Sequence, residues 1–341
     1  MMAFLFLNKK AVWSILCSCT FVFCLLPTAF CSGRLQKLDL PVPGPESYAF
    51  DLAGHGPYTG VADGRILKYE GPILGFVEYG YTKENRSKQL CDNIDTTDLA
   101  KICGRPLGIG FYYKTGELYT ADAGLGLVVV GPEGGPGKQL ASGAEGVPFG
   151  LPDGLEVDQE TGVIYFTEAS SRYNISQISQ IISTRDASGR LLKYDPQTKK
   201  VTVLLRSLAG PAGVAISRDG SYILVTEFLN QRVLKYWLKG TLANTTRVLV
   251  NLSGSPDKIK RNSRGDYWIG LNVQSQGPNP TTIIQGQRIN GKGHILETIT
   301  FSPDFNASVI TEVQEYKGAL YLGSLFVGYV GVYRKFPLTL I

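Results

Sequence analysis

The chain has 341 residues, of which 43% are hydrophobic and 18% charged, and its net charge at neutral pH is +5. This charge is too small to predict nucleic acid as a partner. The densest basic run contains Lys258, Lys260 and Arg261 but no interleaved aromatic residues that could stack bases, so we interpret it as a solvated strand face. With only two histidines, His55 and His294, neither a histidine-rich metal site nor a Ser-His-Asp triad is expected.

Residues 1–31 have the pattern of a secretory signal peptide. Lys9 and Lys10 precede an apolar run from Ala11 to Leu26, and small residues follow it. We expect cleavage before Ser32, which leaves residues 32–341 as one mature domain. The alternative is an uncleaved membrane anchor, because the apolar run approaches the length that spans a bilayer.

Cys91 and Cys103 are the two cysteines that remain after this segment is removed, and they close a short loop. In a chain that enters the secretory pathway, an isolated pair of this kind predicts a disulfide bond. Asn-x-Ser/Thr tripeptides predict N-linked glycans on surface loops. The five acceptors are Asn85, Asn174, Asn244, Asn251 and Asn306.

A glycine followed by the start of an aromatic or apolar strand recurs six times along the chain. The six glycines are Gly56, Gly116, Gly162, Gly220, Gly265 and Gly318, at intervals of 60, 46, 58, 45 and 53 residues. Irregular spacing near 50 residues is typical of radial repeats with variable loops. A second strand signal lies upstream of four of these glycines, and a third element rich in Leu, Val and Tyr completes some units.

Three to four short strands in each of six units predict an all-β fold, a six-bladed β-propeller. Helical periodicity is nearly absent; the main candidate is a short inserted helix from Ser176 to Thr184. Carboxylates recur just after the glycine-aromatic strand of three units, at Asp122, Glu168 and Glu227. They could bind a cation or exchange protons, but their repetition favours a structural role, as acceptors of hydrogen bonds from backbone or arginine.

Four long segments of the chain carry a resemblance to a known family. They are "GRLLKYDPQTKKVTVLL" from Gly189, "GPAGVAISRDGSYILVTEFLNQRVLKYWLKG" from Gly210, "KIKRNSRGDYW" from Lys258 and "EVQEYKGALYLGSLFVGYVGVY" from Glu312. These segments strongly resemble the strictosidine synthase family of plants. The resemblance runs from about Leu38 to Val332. It implies a six-bladed propeller with a small-molecule pocket on its axis, in a vacuolar or otherwise secretory glycoprotein.

The resemblance also implies a chemistry and the position of its catalytic residue. The founding enzyme of the family condenses tryptamine with secologanin in a Pictet–Spengler ring closure, with one glutamate as base and acid. That position falls on Thr311, whose hydroxyl cannot exchange protons near neutral pH as a carboxylate does. Glu312 follows directly, but successive side chains of a strand point to opposite faces, so we expect it to point away from the face of Thr311. Val309 stands where the family has a histidine.

Other pocket positions are altered as well. Leu151 and Asp153 stand where the family enzyme has tryptophan and tyrosine, Ala169 replaces a valine, and Phe228 retains a phenylalanine. The resemblance therefore implies a pocket that does not recognise the same indole amine.

The architecture is more distantly similar to calcium-dependent lactonases and arylesterases of the propeller type. Their axial calcium needs six to eight oxygen ligands, for which the matching turns offer Asp153 and Asp257. Ala212 and Lys258 stand where further ligands are expected, and an ammonium group disfavours a nearby cation. Calcium is thus a candidate cofactor for which these turns offer an incomplete set of ligands, and no other cofactor is predicted.

Three functions are compatible with these residues. The first is hydrolysis of a small ester or lactone, with Asp153 as the best-placed polar group. The second is binding of a small molecule without catalysis, in stress or defence, and the third is strictosidine synthase activity, which Thr311 disfavours. The expected partners are a small-molecule ligand or substrate and N-linked glycans, without nucleic acid or, after cleavage, a membrane. The vacuole is the expected location, with the cell exterior as the alternative.

Overall fold

A computed structural model describes residues 33–94 and 97–335, whose strands form six blades of a β-propeller. Each blade contains four antiparallel strands, and the first strands of neighbouring blades pack against each other around the axis. The prediction of an all-β, six-bladed propeller is confirmed.

The strand bounds follow the repeat along the chain. Blades 1 to 3 are Tyr48–Ala49, Tyr58–Gly60, Arg65–Tyr69 and Phe76–Tyr81; Pro106–Tyr112, Glu117–Asp122, Gly126–Val130 and Lys138–Ala141; and Leu151–Val157, Ile164–Ser170, Gly189–Asp195 and Lys200–Leu208. Blades 4 to 6 are Pro211–Ile216, Tyr222–Glu227, Arg232–Trp237 and Thr246–Asn251; Ser255–Arg261, Tyr267–Gln274, Thr282–Ile289 and Ile295–Thr300; and Val313–Tyr316, Ala319–Leu322, Tyr329–Lys335 and Gly33–Asp39. Gly135–Pro136 adds a short parallel strand to blade 1, and Gly143–Ala144 pairs with Val147–Pro148 in a small hairpin.

The six repeat glycines lie in the turns between the first and second strands of their blades. Their φ angles are all positive, from 62° at Gly220 to 121° at Gly56. A residue with a Cβ is strained in this region, whereas glycine adopts it readily. The spacing of these glycines therefore reports the positions of the blades directly.

The ring is closed by the N-terminal strand. Gly33–Asp39 pairs antiparallel with Tyr329–Lys335, from Gly33 opposite Lys335 to Asp39 opposite Tyr329. Blade 6 is thus assembled from both ends of the described chain.

Helices occur in two loops of the described ranges. The first loop contains Lys88–Cys91, the 3-10 turn Thr97–Leu99 and Ala100–Cys103. The second contains the 3-10 turn Ile175–Gln177 and the helix Ile178–Ser183, which confirms the helix expected near residues 176–184. None of the helices within these ranges has both the length and the apolar character needed to cross a bilayer. The segment interpreted as a signal peptide or anchor lies outside the described residues.

The recurring carboxylates have the structural role expected of them. Asp122 accepts hydrogen bonds from the backbone N–H groups of Arg105, Gly124 and Leu125. Glu168 accepts from the Gly150 backbone and pairs with Arg190, and Glu227 accepts from the Ala209 backbone and pairs with Arg232. All three carboxylates are fully buried. Their hydrogen bonds tie loop backbone to the blades that carry them.

The interpretation of the basic run as a solvated strand face is wrong. Lys258 and Lys260 lie on the innermost strand of blade 5, and they are 2% and 8% exposed. The innermost strand of a propeller blade faces the axis and the neighbouring blades. A charged residue on this innermost strand is therefore buried, even where the surrounding sequence is polar.

Cys91 and Cys103 form the predicted disulfide, with 5.5 Å between their Cα atoms. The bond joins the helices Lys88–Cys91 and Ala100–Cys103, which lie between blades 1 and 2. Four of the predicted glycan acceptors are exposed and Asn174 is half-buried, where its side chain accepts a hydrogen bond from the Ser176 backbone.

Replacing both cysteines by alanine should lower the free energy of unfolding by about 3 kcal/mol, because the unfolded chain regains the entropy of a loop of about a dozen residues. Urea titration followed by circular dichroism measures the change. Dithiothreitol should destabilise the wild type and leave the double variant unchanged. Equal stability of the two proteins under oxidising conditions would contradict the prediction.

Candidate functional site: an apolar axial cavity with a charged floor

A cavity of about 250 Å³ opens at one end of the propeller axis, and we call it the upper cavity. Leu151, Ala169, Phe228 and Val309, the four positions implied by the resemblance, all line it. Leu151 begins the inner strand of blade 3, and Val309 precedes the inner strand of blade 6. Ala169 lies near the end of the second strand of blade 3, and Phe228 directly follows the second strand of blade 4. The structure therefore brings the expected pocket positions together around one mostly apolar space.

Two further walls were missed by the sequence reasoning. The helix Ile178–Ser183 contributes Ile178, Ile181 and Ile182, and the loop before the last strand contributes Leu325 and Phe326. Apolar residues at positions i, i+3 and i+4 of the inserted helix were a usable signal for an apolar face. At the rim, Ile182 is 50% exposed and Phe326 is 64% exposed.

The floor of the upper cavity is a cluster of charged groups. The Lys258 ammonium lies 2.8 Å from Glu46 Oε1 and 3.6 Å from Asp257 Oδ1, and it donates a hydrogen bond to Asp153 Oδ1. It also lies 3.3 Å from the backbone carbonyl of Ala212. The lysine is thus enclosed by three carboxyl groups, and all three line the cavity.

Irregular pairing in the inner strands produces this convergence. The register between the first and second strands shifts between Pro152 and Leu155 in blade 3, and between Pro256 and Ile259 in blade 5. A bulge of this kind breaks the alternation of side chains along a strand. Asp257 and Lys258 are neighbours in sequence, and both reach the cluster.

Burial raises the pKa of Asp153 and Asp257, that of Asp257 to about 7, although the positive charge of Lys258 opposes both shifts. Burial alone would lower the pKa of Lys258, but the surrounding carboxylates raise it above its usual value. The lysine therefore stays charged, whereas Asp257 changes its charge near neutral pH. Among the three carboxyl groups, Asp257 is also the most loosely held by the ammonium.

The cluster does not fit a calcium ion. One oxygen of each of Glu46, Asp153 and Asp257 lies within 4.8 Å of the others, which is close enough to share a cation. The Lys258 ammonium occupies the space among these oxygens, and its charge repels a second cation. Calcium also needs six to eight oxygen ligands.

The segment around Thr311 brings no carboxylate to the upper cavity. Thr311 is buried and donates a hydrogen bond of 2.7 Å to the backbone carbonyl of Glu46. Glu312 is buried in the other half of the axis, where it accepts a hydrogen bond from the Tyr48 backbone and lies 3.7 Å from the Lys260 ammonium. Neither residue lines the upper cavity.

Six blades around an apolar axial cavity with a charged floor define a β-propeller with an axial pocket. The family model described as strictosidine synthase matches residues 153–241. Strictosidine synthase-like 12 of Arabidopsis thaliana is 42% identical over 91% of this chain and 93% of its own length. Strictosidine synthase of Catharanthus roseus is 39% identical over 87% of this chain and 86% of its own length. The chain belongs to the strictosidine synthase family.

Solved structures with the same architecture are more distant in sequence. A gluconolactonase from Xanthomonas campestris superposes with a TM-score of 0.62 at 13% identity, covering 89% of this chain and 90% of that one. The calcium-binding protein regucalcin from Agrobacterium tumefaciens superposes with a TM-score of 0.61 at 12% identity, covering 88% and 92%. At these identities the likeness concerns the fold alone.

Proposed function

We propose that the protein is a small-molecule enzyme that hydrolyses an ester or lactone in the upper cavity without a metal ion. The observation that carries the proposal is the position of Asp257, whose carboxyl group lies at the polar end of an apolar cavity, 3.6 Å from the Lys258 ammonium. Burial raises the pKa of this carboxyl group to about 7. A general base works best when its pKa lies near the working pH. Apolar walls with a few convergent polar groups are typical of sites for small molecules.

Two carboxyl groups of the floor, those of Asp153 and Asp257, are held by Lys258 to different degrees. Asp153, the residue favoured by the sequence, is committed to a hydrogen bond with Lys258. Asp257 lies 3.6 Å from the same ammonium, and its side chain is 15% exposed. We assign Asp257 as the base and Asp153 as the residue that positions Lys258.

The reaction then runs through one proton acceptor. Asp257 removes a proton from a water molecule as the water oxygen bonds to the ester carbonyl carbon. The bond to the leaving alkoxide breaks, and Asp257 returns the proton to that oxygen. Negative charge develops on the oxygen of the reacting carbonyl. The ammonium of Lys258, within the floor, supplies positive charge that stabilises it.

The cavity walls indicate the kind of ester. Phe228, Leu151 and Ala169 surround the space with apolar groups, and the apolar side chains of Ile182 and Phe326 continue it to the rim. Burying apolar surface favours a substrate whose acyl or alcohol part is hydrophobic. A short-chain acyl ester of 4-nitrophenol is therefore a suitable first probe.

The Asp257→Asn variant should lose about 100-fold to 10,000-fold in kcat/KM for 4-nitrophenyl butyrate, because an amide cannot accept the proton. For the wild type, the rate should rise with pH through about 7 as Asp257 ionises, and this rise should be absent in the variant. Chelation with EDTA should have no effect. Stopped absorbance assays across pH 5 to 9 measure all three results.

The exposed Asp304→Asn variant is the matched control and should retain wild-type activity. Turnover that depends on calcium, or turnover that survives Asp257→Asn, would rule out the assigned base. Circular dichroism of each variant distinguishes lost chemistry from lost folding.

Ligand binding without catalysis is the second candidate function. The observation that favours it is the mutual pairing in the floor, where Lys258 is already paired with Asp153 and Glu46. A binding protein would gain thermal stability from a ligand and release no product. The same ester panel, followed by both thermal shift and product formation, separates the two functions.

Strictosidine synthase activity is the third candidate, and the 39% identity to the Catharanthus roseus enzyme is what supports it. Against it, Thr311 stands at the family's glutamate position and Glu312 lies in the other half of the axis. Product formation from tryptamine and secologanin by the wild type, together with its loss in Glu312→Gln, would support this third function.

We also propose that the protein is a vacuolar glycoprotein of the secretory pathway. The disulfide and the exposed acceptors Asn85, Asn244, Asn251 and Asn306 support this location, because both features belong to oxidising compartments with glycosylation. Endoglycosidase treatment of the protein from plant tissue should reduce its apparent mass.

A further inference from the structure

A second cavity, of about 180 Å³, lies at the opposite end of the axis, and we call it the lower cavity. The inner strand of blade 3 runs from one cavity to the other: Leu151 and Asp153 line the upper cavity, and Leu155, Glu156 and Val157 line the lower one. The lower cavity shares no lining residue with the site proposed for hydrolysis.

Lys260 presents an incompletely bonded ammonium group to the lower cavity. A lysine ammonium has three N–H donors. Across residues 33–94 and 97–335, its contacts are a hydrogen bond of 3.4 Å to the Leu155 carbonyl and an ion pair of 3.7 Å with Glu312 Oε2. Both contacts are long, although the side chain is only 10% exposed. The facing oxygen, Glu312 Oε2, is buried and has no hydrogen-bond partner.

Such a group is costly to bury without a closer partner. Lys258, two residues earlier on the same strand, shows the contrast, because it lies among three carboxyl groups. The long contacts of Lys260 leave at least one N–H free for a molecule in the lower cavity.

The neighbours of Lys260 indicate the chemistry of that molecule. Arg261 also lines the lower cavity, with its Nε donating to the Ile216 carbonyl. Glu156 lines it too, and burial raises the pKa of that carboxyl group although Lys260 and Arg261 oppose the shift. A raised pKa favours the neutral form of Glu156, so its repulsion of an anion is weakened. The aromatic rings of Phe111 and Tyr113 form part of the wall, and Tyr113 is 41% exposed.

We propose that the lower cavity is a second ligand site, which binds a small aromatic carboxylate. The carboxylate accepts a hydrogen bond from Lys260 and lies near Arg261, and the ring packs against Phe111 and Tyr113. A cavity of about 150 Å³ is known to hold one benzene ring, so the volume suits a ligand of this size. The proposal is independent of the hydrolysis in the upper cavity.

Isothermal titration of the full mature protein with benzoate tests the proposal, at constant ionic strength. We expect saturable binding of one benzoate, and no binding of the uncharged analogue benzamide. Lys260→Met should weaken benzoate binding by about tenfold or more, because it removes a charge-assisted hydrogen bond. The exposed Lys200→Met variant carries the same chemical change and should bind as the wild type does.

Two further variants keep the test decisive. Tyr113→Ala changes a partly exposed side chain at the cavity wall, so it should fold and should weaken benzoate binding severalfold even if Lys260→Met unfolds. Phe228→Ala alters only the upper cavity and should leave benzoate binding unchanged. Binding lost in Phe228→Ala and kept in Tyr113→Ala would place benzoate in the upper cavity and overturn the proposal, as would the absence of saturable binding to the wild type.

Discussion

Replacing Lys258 by methionine should lower the free energy of unfolding by about 3–5 kcal/mol at pH 8, the range measured when one partner of a buried ion pair is removed. Methionine fills a similar volume, so the change is mainly electrostatic. Glu46, Asp153 and Asp257 would then lie together without the ammonium that neutralises them. Chemical denaturation followed by circular dichroism measures the loss.

The same variant should recover part of its stability at low pH. Burial places the pKa of Asp257 in the folded protein at about 7, above its ordinary value of 3.8. A carboxyl group whose pKa is raised by folding contributes stability that is complete below about pH 4 and is lost as the pH rises through the folded-state pKa. Without Lys258, the positive charge that opposes the raised pKa of Asp153 and Asp257 is removed, so the loss between pH 5 and pH 8 should be larger than in the wild type.

Lys200→Met is again the matched control, because this lysine is exposed on the outer strand of blade 3. Its free energy of unfolding should change by no more than about 0.5 kcal/mol. If Lys258→Met were as stable as this control at pH 8, the ammonium would not be paired with buried negative charge in the wild type, and the assignment of a charged floor would be wrong.

Deleting the closing strand, Gly33–Asp39, should have the largest effect on folding. The strand supplies the whole ladder on one side of Tyr329–Lys335, and Leu35 and Leu38 pack against two separate core clusters. Its removal takes the outermost strand from blade 6 and leaves Tyr329–Lys335 as an unpaired edge. We expect a loss of more than about 5 kcal/mol, which is comparable with the whole stability of many domains.

The exposed edge should also cause association, because unpaired strand edges recruit other strands. Size-exclusion chromatography and the width of the thermal transition measure both effects. Replacing Arg34 and Gln36 by alanine is the control: both side chains are exposed, and the backbone ladder is kept. A deletion variant that remained a cooperative monomer would show that the five other blades hold the ring without closure.

Ring closure also connects folding to the candidate site. Thr311 and Glu46 are 265 positions apart in sequence, yet the Thr311 hydroxyl holds the Glu46 carbonyl at 2.7 Å. This contact lies where blade 6 meets blade 1, and Glu46 then reaches Lys258 in blade 5. The position that the family uses for its catalytic glutamate therefore helps to fix the backbone beneath the cavity floor of this protein.

The sequence by itself determined the blades, the disulfide and the structural role of the recurring carboxylates as hydrogen-bond acceptors. These features depend on local signals: a glycine at each turn with positive φ, short apolar strands, and a cysteine pair in a short loop. Resemblance to the family added Leu151, Ala169, Phe228 and Val309, which the structure places around one cavity.

Similarity to the propeller lactonases pointed to Asp153, Asp257 and Lys258 at the axial turns. Only the tertiary structure brought Glu46 to them and showed the ion pairs of the charged floor. Glu46 lies in a loop without a repeat signal, and it reaches Lys258 only because the ring closes. Lys258 was misplaced because a basic run without interleaved aromatic residues was interpreted as a solvated face, whereas the run lies on the innermost strand of blade 5, where the pairing is irregular between Pro256 and Ile259. Side-chain direction at a bulge, and contacts between blades distant in sequence, depend on how the chain closes upon itself, and local sequence patterns carry little information about either.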